Sequence, residues 1–211
     1  DIYVGYDSSN YGQEMAYRVC KRSIENYNAN VKIMPIKLQD LRDAHIYNRG
    51  HDDRQSTEFT YTRFLTPYLN RYAGKALFCD SDFLWRCDVI EVLDFIKDDQ
   101  SISCVQHEYV ECPNKTKMDG FKQEWYPRKN WSSFMIFNNA KCKILTPKLV
   151  SKAHGLYLHQ FKWTKDKLIG SLPKNWNILV GEQKIPKKIN ALHYTLGGPY
   201  FKKHSKCQES K

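Results

Sequence analysis

The sequence lacks any apolar run close to the ~20 residues that a membrane-spanning helix needs. It also lacks the charged start and apolar stretch of a signal peptide, and its mean hydropathy is −0.67. Because the chain begins at Asp1 without a methionine, we expect it to be trimmed or to be a piece of a longer protein. Its 211 residues suffice for one domain with a real core.

The seven cysteines contain no C-x-x-C pair, so the spacing typical of a structural zinc site is absent. Several lie inside apolar runs, such as Cys79 in "ALFCD" and Cys104 in "SISCVQ", where a free cysteine packs as a small hydrophobic residue. An odd number of thiols without a zinc spacing favours a reducing compartment. We therefore predict a cytoplasmic protein, in which the sequons at Asn114 and Asn130 are chance matches.

Acidic residues are the minority among the charged ones, since 33 Lys and Arg against 23 Asp and Glu give a net charge of +10. This charge suits a nucleic-acid-binding module, and it equally suits a site for a phosphorylated ligand. The basic residues concentrate after Lys141 and are not interleaved with aromatic residues as in a base-stacking surface. A basic nucleic-acid-binding module is therefore kept only as an alternative.

No internal repeat, low-complexity segment or linker divides the chain, and patterns of strands and helices alternate along it. The segment "GQEMAYRVCKRSIENY" predicts a helix with Met15, Val19, Cys20 and Ile24 on one face. Polar residues 39–55 predict a loop. The strand patterns are "DIYVGYD", "NVKIMPIKL", "GKALFCD", "SISCVQHEYV", "SSFMIFNN" and "NALHY".

Further helices are predicted over 56–72, where Pro67 should kink or shorten the helix, over "DVIEVLDFI", and in two stretches from about 146 to 169. Such alternation predicts a single α/β domain with a mainly parallel central sheet flanked by helices. In such sheets ligands bind beyond the carboxyl ends of the strands.

Asp80, Ser81 and Asp82 directly follow an apolar strand pattern. Residues i and i+2 of an extended chain point the same way, so the two carboxylates can converge, and a divalent cation would remove their repulsion. Oxygen ligands of this kind suit Mg²⁺ or Mn²⁺ with positions left for substrate phosphates. The alternative is a chance triplet in a turn.

His193 follows another apolar strand pattern and precedes the pair Gly197 and Gly198. A lone histidine there can be a structural residue, but an imidazole beside two carboxylates is a familiar ligand set for Mn²⁺. The glycines would let the backbone approach a phosphate, and Lys202 or Lys203 could neutralise a leaving diphosphate.

Four landmarks in order resemble the glycogenin and lipopolysaccharide-galactosyltransferase type of glycosyltransferase. They are "FTYTRFLTPYLNRYAGKALFCDSDFLW", "SSFMIFNN", "LPKNWNILVG" and "LHYTLGGPYFKK", which together span most of the chain. Within this type, the chain most resembles the glycosyltransferase domain that chlorella viruses encode and that is linked to glycosylation of their major capsid protein. That resemblance would place the protein in the cytoplasm of an infected host cell.

The resemblance implies a GT-A fold over residues 1–211, with a nucleotide-sugar half of about 1–105 and an acceptor half of about 106–211. It implies Mn²⁺ or Mg²⁺ as cofactor, a UDP-sugar as donor, and a glycan or glycoprotein as acceptor. The acceptor glycan would be carried by a viral capsid glycoprotein. Asp80, Asp82 and His193 would hold the metal. The implied donor-binding residues are Gly5, Tyr6, Asp7, Arg63, Asp80, Ser81, Gly198, Lys202 and Lys203.

The catalytic carboxylate is harder to place, because the "DQD" element of these enzymes has no clear match here. Asp166 in "FKWTKDKLIG" lies at about the right place but lacks the glutamine, and Glu108, Glu111 and Asp119 are further candidates. A general base would serve an inverting enzyme, so the stereochemistry stays open.

Residues 110–131 form a long aromatic and charged segment without regular period, and Trp125, Tyr126 and Trp131 in it suggest a platform for an acceptor sugar. A surface flap packed on its own aromatic residues is the alternative. A metal-dependent phosphatase or nucleotidyltransferase also carries Asp-x-Asp after a strand, so it remains a rival enzyme class.

Overall fold

Nine strands form two sheets in the part of the chain that the computed structural model describes, which is residues 1–50, 52, 55–108, 126–207 and 209. In chain order these are β1 (Ile2–Gly5), β2 (Ile33–Ile36), β3 (Lys75–Cys79), β4 (Phe83–Trp85), β5 (Ile102–Cys104), β6 (Phe134–Asn138), β7 (Ile169–Ser171), β8 (Ile178–Leu179) and β9 (Ala191–His193).

The larger sheet has the order β2-β1-β3-β6-β5-β7, and the smaller one has the order β4-β9-β8. In the larger sheet β6 runs antiparallel to both of its neighbours, and the other five strands are parallel to one another. This confirms the predicted α/β architecture with a mainly parallel sheet. Pro35 lies in β2 at the edge of the sheet, the position where a missing backbone donor is tolerated.

Short helices connect these strands in the described residues. The α-helices are α1 (Tyr11–Glu25), α2 (Leu38–Asp43), α3 (Thr66–Leu69), α4 (Pro147–Lys152) and α5 (Gly155–His159), and the 3-10 helices are Thr62–Leu65, Val89–Phe95, Trp131–Ser133, Asn139–Lys141, Asp166–Leu168, Lys174–Trp176 and Lys202–His204. The side chain of Asn10 caps α1 by accepting the backbone N–H of Gln13.

The core covers both faces of the larger sheet, because successive side chains of its central strands point to opposite sides. Leu77 and Ile136 face the layer that contains α1 and β4, whereas Phe78 and Phe137 face the layer that contains α4 and α5. Burial on both faces explains why these strands are continuous apolar runs in the sequence.

The strand β6 fixes where the functional residues lie. Its first residue, Phe134, pairs with Cys79, the last residue of β3, and the N–H of Asp80 donates to the carbonyl of Ser133 at 2.8 Å. The first residues of β6 therefore lie beside the carboxyl ends of β1 and β3, at one end of the strands.

Two local predictions need correction. The segment predicted as a loop over 39–55 contains α2, because Leu38 and Leu41 are buried in the core and favour a helical turn there. The helix predicted over 56–72 is reduced to the 3-10 turn Thr62–Leu65 and α3, with Pro67 in the first turn of α3 as a proline requires.

We expect Phe137→Ala to lower the free energy of unfolding by about 3–5 kcal/mol, because it opens a cavity at a fully buried ring between β3 and β5. Ile144→Ala, at a side chain that is 48% exposed, should change it by less than about 1 kcal/mol. Urea unfolding of both variants checks this. Equal losses would contradict the assignment of Phe137 to the core.

Candidate functional site

Asp80, Asp82 and His193 come together at the edge where β3 ends. One potential ligand atom of each lies within 4.8 Å of the others, as the sequence predicted for a metal site. The two sheets produce this arrangement jointly, because β4 begins at Phe83 and pairs antiparallel with β9, which places Phe83 opposite His193. The His193 ring stacks on the Phe83 ring with centroids 4.4 Å apart.

Arg63 is the buried cation of the site. Its guanidinium lies 2.7 Å from Asp80 Oδ1, donates to the Ser132 carbonyl at 2.8 Å, and lies over the rings of Phe59 and Phe78. The side chain is only 7% exposed, so it acts as a fixed positive charge with little screening by water. Arg63 thus orients Asp80 in the site, a contact that the sequence did not predict.

One carboxylate oxygen of Asp82 faces the imidazole of His193. This Oδ1 atom is buried and lies 3.2 Å from His193 Nε2. Burial alone would raise the pKa of Asp82, but the charge of a His193 imidazolium and its hydrogen bond, together with the Arg63 guanidinium, lower the pKa below its ordinary value. Asp82 is therefore a carboxylate poised for a cation.

A chain of hydrogen bonds fixes which nitrogen of His193 faces Asp82. The Ser133 hydroxyl donates to the Asn130 carbonyl, so it must accept from Asn177 Nδ2. Asn177 Oδ1 then faces His193 Nδ1 at 3.0 Å and accepts its proton. The Nε2 atom is left to face Asp82, which is the usual arrangement for a histidine that binds a metal.

These residues fit a divalent cation. A lone pair on His193 Nε2 facing a carboxylate oxygen at 3.2 Å is repulsive unless a proton or a cation lies between them. Neighbouring ligands of an octahedral ion with bonds of about 2.1 Å lie about 3 Å apart, which matches this separation. Two carboxylates and one imidazole form a donor set that suits Mn²⁺ or Mg²⁺.

The residues predicted to hold the nucleoside lie where β1 ends. Both carboxylate oxygens of Asp7 accept backbone N–H groups, from Ser9 at 2.9 Å and from Glu58 at 3.2 Å. A Cβ at Gly5 would overlap the Phe59 ring, so this glycine is required by close packing. The Tyr6 ring has Lys37 Nζ over it at 5.2 Å.

The predicted phosphate-binding element surrounds Gly198, whose missing Cβ makes room for the folded-back ring of Tyr200. The Tyr200 hydroxyl is buried without a hydrogen bond in the described structure, and its pKa is raised by burial and then by the charge of Asp82. Lys202 and Lys203 are exposed, whereas Ser81 is buried.

The two predicted catalytic carboxylates that the structure describes, Asp166 and Glu108, are not part of this cluster. The Asp166 side chain is 81% exposed and pairs with Arg128 at 2.7 Å, in the segment that leads into β7. Glu108 is exposed just beyond β5. Asp119 and Glu111 lie outside the described residues, so their roles remain predictions.

Of the aromatic residues predicted to contact an acceptor, Trp125 lies outside the described residues, and Tyr126 and Trp131 lie beside the site. The pKa of the Tyr126 hydroxyl is raised by burial, with opposing effects of Arg63 and Asp80, which places this side chain near the ion pair. The Trp131 indole donates to the His107 carbonyl at 3.0 Å. A role in acceptor binding remains a prediction.

His107 is a site-edge residue that the sequence analysis did not single out. It follows β5, which is parallel to β3, and the residue is only 5% exposed. Gln183 Nε2 lies 3.2 Å from His107 Nδ1, and Gln183 Oε1 accepts the Leu179 N–H. Burial, with smaller effects of His193 and Lys174, lowers the pKa of His107 to about 3.

Comparison with known proteins gives one strong match in sequence. Protein CDI of Arabidopsis thaliana is 43% identical over 215 residues, covering 98% of this chain and 82% of the plant protein. The chain belongs to the family of Protein CDI. No model of a known protein family matches this CDI relative.

Comparison with solved structures shows that this chain has the GT-A glycosyltransferase fold. The galactosyltransferase LgtC in complex with donor and acceptor sugar analogues matches with a TM-score of 0.56 at 14% identity, covering 92% of this chain and 87% of LgtC. The bifunctional glycosyltransferase WbbM matches with a TM-score of 0.57 at 17% identity, and this chain spans only 45% of it.

A glycosyltransferase involved in glycosylation of the major capsid of PBCV-1 matches with a TM-score of 0.54 at 10% identity, covering 91% of both chains. The predicted resemblance to glycosyltransferases is thus confirmed at the level of the fold. The special closeness to the chlorella virus enzyme is not confirmed, and at this identity the match establishes a shared fold alone.

We expect Asn177→Leu to weaken Mn²⁺ binding by about 10- to 100-fold, because His193 loses the acceptor that fixes its tautomer and ring orientation. Titration of free Mn²⁺ by electron paramagnetic resonance measures this affinity. Asn175→Leu is the matched control, since the Asn175 side chain makes no hydrogen bond in the described structure. Equal affinities of wild type and Asn177→Leu would refute the positioning role.

The depressed pKa of His107 predicts a pH-dependent stability. The unfolded chain takes up this proton near pH 6.5 and the folded chain only near pH 3, so stability is complete above pH 6.5 and falls as the pH drops between these values. Between pH 7 and pH 4.5, wild type should lose about 2–3 kcal/mol more than His107→Gln in urea unfolding. Parallel losses in the two proteins would contradict a neutral, buried His107.

Proposed function

We propose that this chain is a metal-dependent glycosyltransferase that moves a hexose from a UDP-hexose to a hydroxyl of a glycan. The carrying observation is the cluster of Asp80, Asp82 and His193, in which the buried Oδ1 atom of Asp82 lies 3.2 Å from His193 Nε2. Its location at the carboxyl ends of parallel strands in a GT-A fold supports a nucleotide-sugar site, by analogy of fold.

The proposal assigns Asp80, Asp82 and His193 as ligands of Mn²⁺ or Mg²⁺. When bound, such an ion neutralises charge that develops on a departing diphosphate. Arg63 holds Asp80 in place through its ion pair, and Asn177 holds His193 through the hydrogen bond to Nδ1. A preorganised cluster of this kind loses little free energy to reorganisation during the reaction.

The donor would extend from the cluster in two directions. Gly5, Tyr6 and Asp7 at the end of β1 would contact the uracil and ribose, since β1 is parallel to β3 and ends at the same edge. Gly198 and the exposed Lys202 and Lys203 would contact the diphosphate, and Ser81 would shape the turn between the two metal ligands. LgtC supports this arrangement by analogy, since its structure holds donor and acceptor sugar analogues.

The acceptor side carries less support. The base that takes the acceptor proton stays a prediction among Asp166, Glu108 and Asp119, and the ion pair of Asp166 with Arg128 argues against a free carboxylate at that position. A capsid glycoprotein as acceptor also stays a prediction. No helix in the described part of the chain has both the length and the apolar character to cross a membrane, and the cytoplasmic location stays a prediction too.

A thermal-shift panel of nucleotide-sugars with and without Mn²⁺ tests the proposal. We expect UDP-hexoses to raise the melting temperature only when Mn²⁺ is present, and Asp82→Asn to weaken UDP-hexose binding at least about tenfold. Asp99→Asn, at an exposed carboxylate away from the cluster, is the control.

Metal-dependent hydrolysis of the UDP-hexose gives a second measurement on the same proteins. Undiminished hydrolysis by Asp82→Asn would overturn the metal assignment. Absence of any UDP-hexose binding by the wild type, with or without Mn²⁺, would overturn the function itself.

A further inference from the structure

His107 offers a hydrogen-bond donor whose direction the structure defines. Gln183 Oε1 accepts the backbone N–H of Leu179, so the amide group Nε2 of Gln183 faces the imidazole and donates to His107 Nδ1. A neutral imidazole carries one proton, and with Nδ1 acting as acceptor this proton must be on Nε2. His107 Nε2 is therefore an N–H donor.

This donor has no partner in the described structure. The Nε2 atom is buried and forms no hydrogen bond with the described residues, whereas the His107 carbonyl and Nδ1 each have a partner. A buried N–H without an acceptor costs free energy, and such groups concentrate where a ligand or an internal water supplies the acceptor.

The surroundings of His107 connect it to the metal cluster. Gln183 is anchored on Leu179, and Leu179 is paired in the small sheet with His193, one of the three cluster residues. Trp131 holds the His107 carbonyl from the segment that also supplies Ser132 and Ser133 to the site. His107 thus lies beside the cluster on a frame of strands and not on an isolated loop.

The chemistry of the ring restricts its role. With a pKa of about 3, the imidazole stays neutral near pH 7 and is too weak a base to take a proton from an acceptor hydroxyl. A neutral donor in a fixed tautomer suits an uncharged oxygen, such as a sugar hydroxyl. The diphosphate would instead be bound by the cation and by lysines.

We infer that His107 is a sugar-binding residue, whose Nε2–H donates a hydrogen bond to a hydroxyl of the hexose on the nucleotide-sugar donor. This inference rests on the proposed function and deepens it by naming a contact that would select the sugar. Because the structure buries Nε2, the contact requires the groups that cover this atom to move aside when the donor binds.

The test compares UDP, which has no hexose, with UDP-glucose and UDP-galactose, each by calorimetry with Mn²⁺. His107→Phe removes the donor and should weaken the binding of one of these UDP-hexoses by about 3- to 10-fold while leaving that of UDP unchanged. His107→Gln keeps an N–H near the position of Nε2 and should recover part of the loss. A single monodeoxy analogue of that UDP-hexose should bind wild type and His107→Phe equally.

Each result has a distinct meaning. Equal weakening of UDP and the UDP-hexoses would show a structural role, and unchanged affinities would show that Nε2–H serves an internal water, so either result overturns the inference. The melting temperatures of both variants show whether they fold. If they do not, the monodeoxy analogues are measured on wild type alone. Equal binding of wild type to every analogue would then also overturn the inference. If wild type binds no UDP-hexose, the proposed function fails before His107 is tested.

Discussion

The pairing of β6 with β3 is the constraint on which the site depends. Because β6 runs opposite to its neighbours, its entry and not its exit meets the carboxyl end of β3, and Ser132 and Ser133 lie beside Asp80. These two serines connect several groups of the site. Their carbonyls accept from Arg63 and from the Asp80 N–H, and their hydroxyls bind His159 and Asn177. A single reversed strand thus positions Arg63, Asp80 and, through Asn177, His193 together.

The site combines two histidines that the fold holds in opposite roles. His193 donates a hydrogen bond from Nδ1 to Asn177 Oδ1 and turns Nε2 towards Asp82, whereas His107 accepts at Nδ1 and presents an N–H at Nε2. In both cases an amide side chain determines whether Nδ1 donates or accepts, because a second hydrogen bond orients each amide. In the proposed site, His193 would therefore serve a cation and His107 a neutral oxygen.

Much of the fold was predictable from the sequence, for identifiable reasons. Strands such as β3 and β6 are buried on both faces and read as unbroken apolar runs, and the carboxylates of Asp80 and Asp82 interrupt such a run abruptly. Short elements escaped prediction: β8 has two residues, and α2 is defined by burial of Leu38 and Leu41 against distant parts of the chain. Periodicity cannot reveal either of these features.

The three residues of the cluster could be identified from the sequence, whereas the residues that support them could not. Asp80, Asp82 and His193 each follow an apolar strand, a pattern visible in one dimension. Asn177 and Gln183 act through hydrogen bonds to residues 16 and 76 positions away, and amide side chains carry no sequence signal for such contacts. The quoted segments "LPKNWN" and "SSFMIFNN" did contain Asn177 and Ser133, so the only hint was their place in those landmarks.

The topology of β5 and β6 has a consequence for how the family can diversify. These strands are antiparallel neighbours, so the chain leaves the sheet after Cys104 and returns at Phe134 at the same edge, beside the cluster. Lengthening such a connection is inexpensive, since doubling a flexible loop costs only about 0.6 kcal/mol. Relatives can therefore vary the middle of this connection, between His107 and Ser132, while the strands that carry Asp80, Asp82 and His193 stay unaltered.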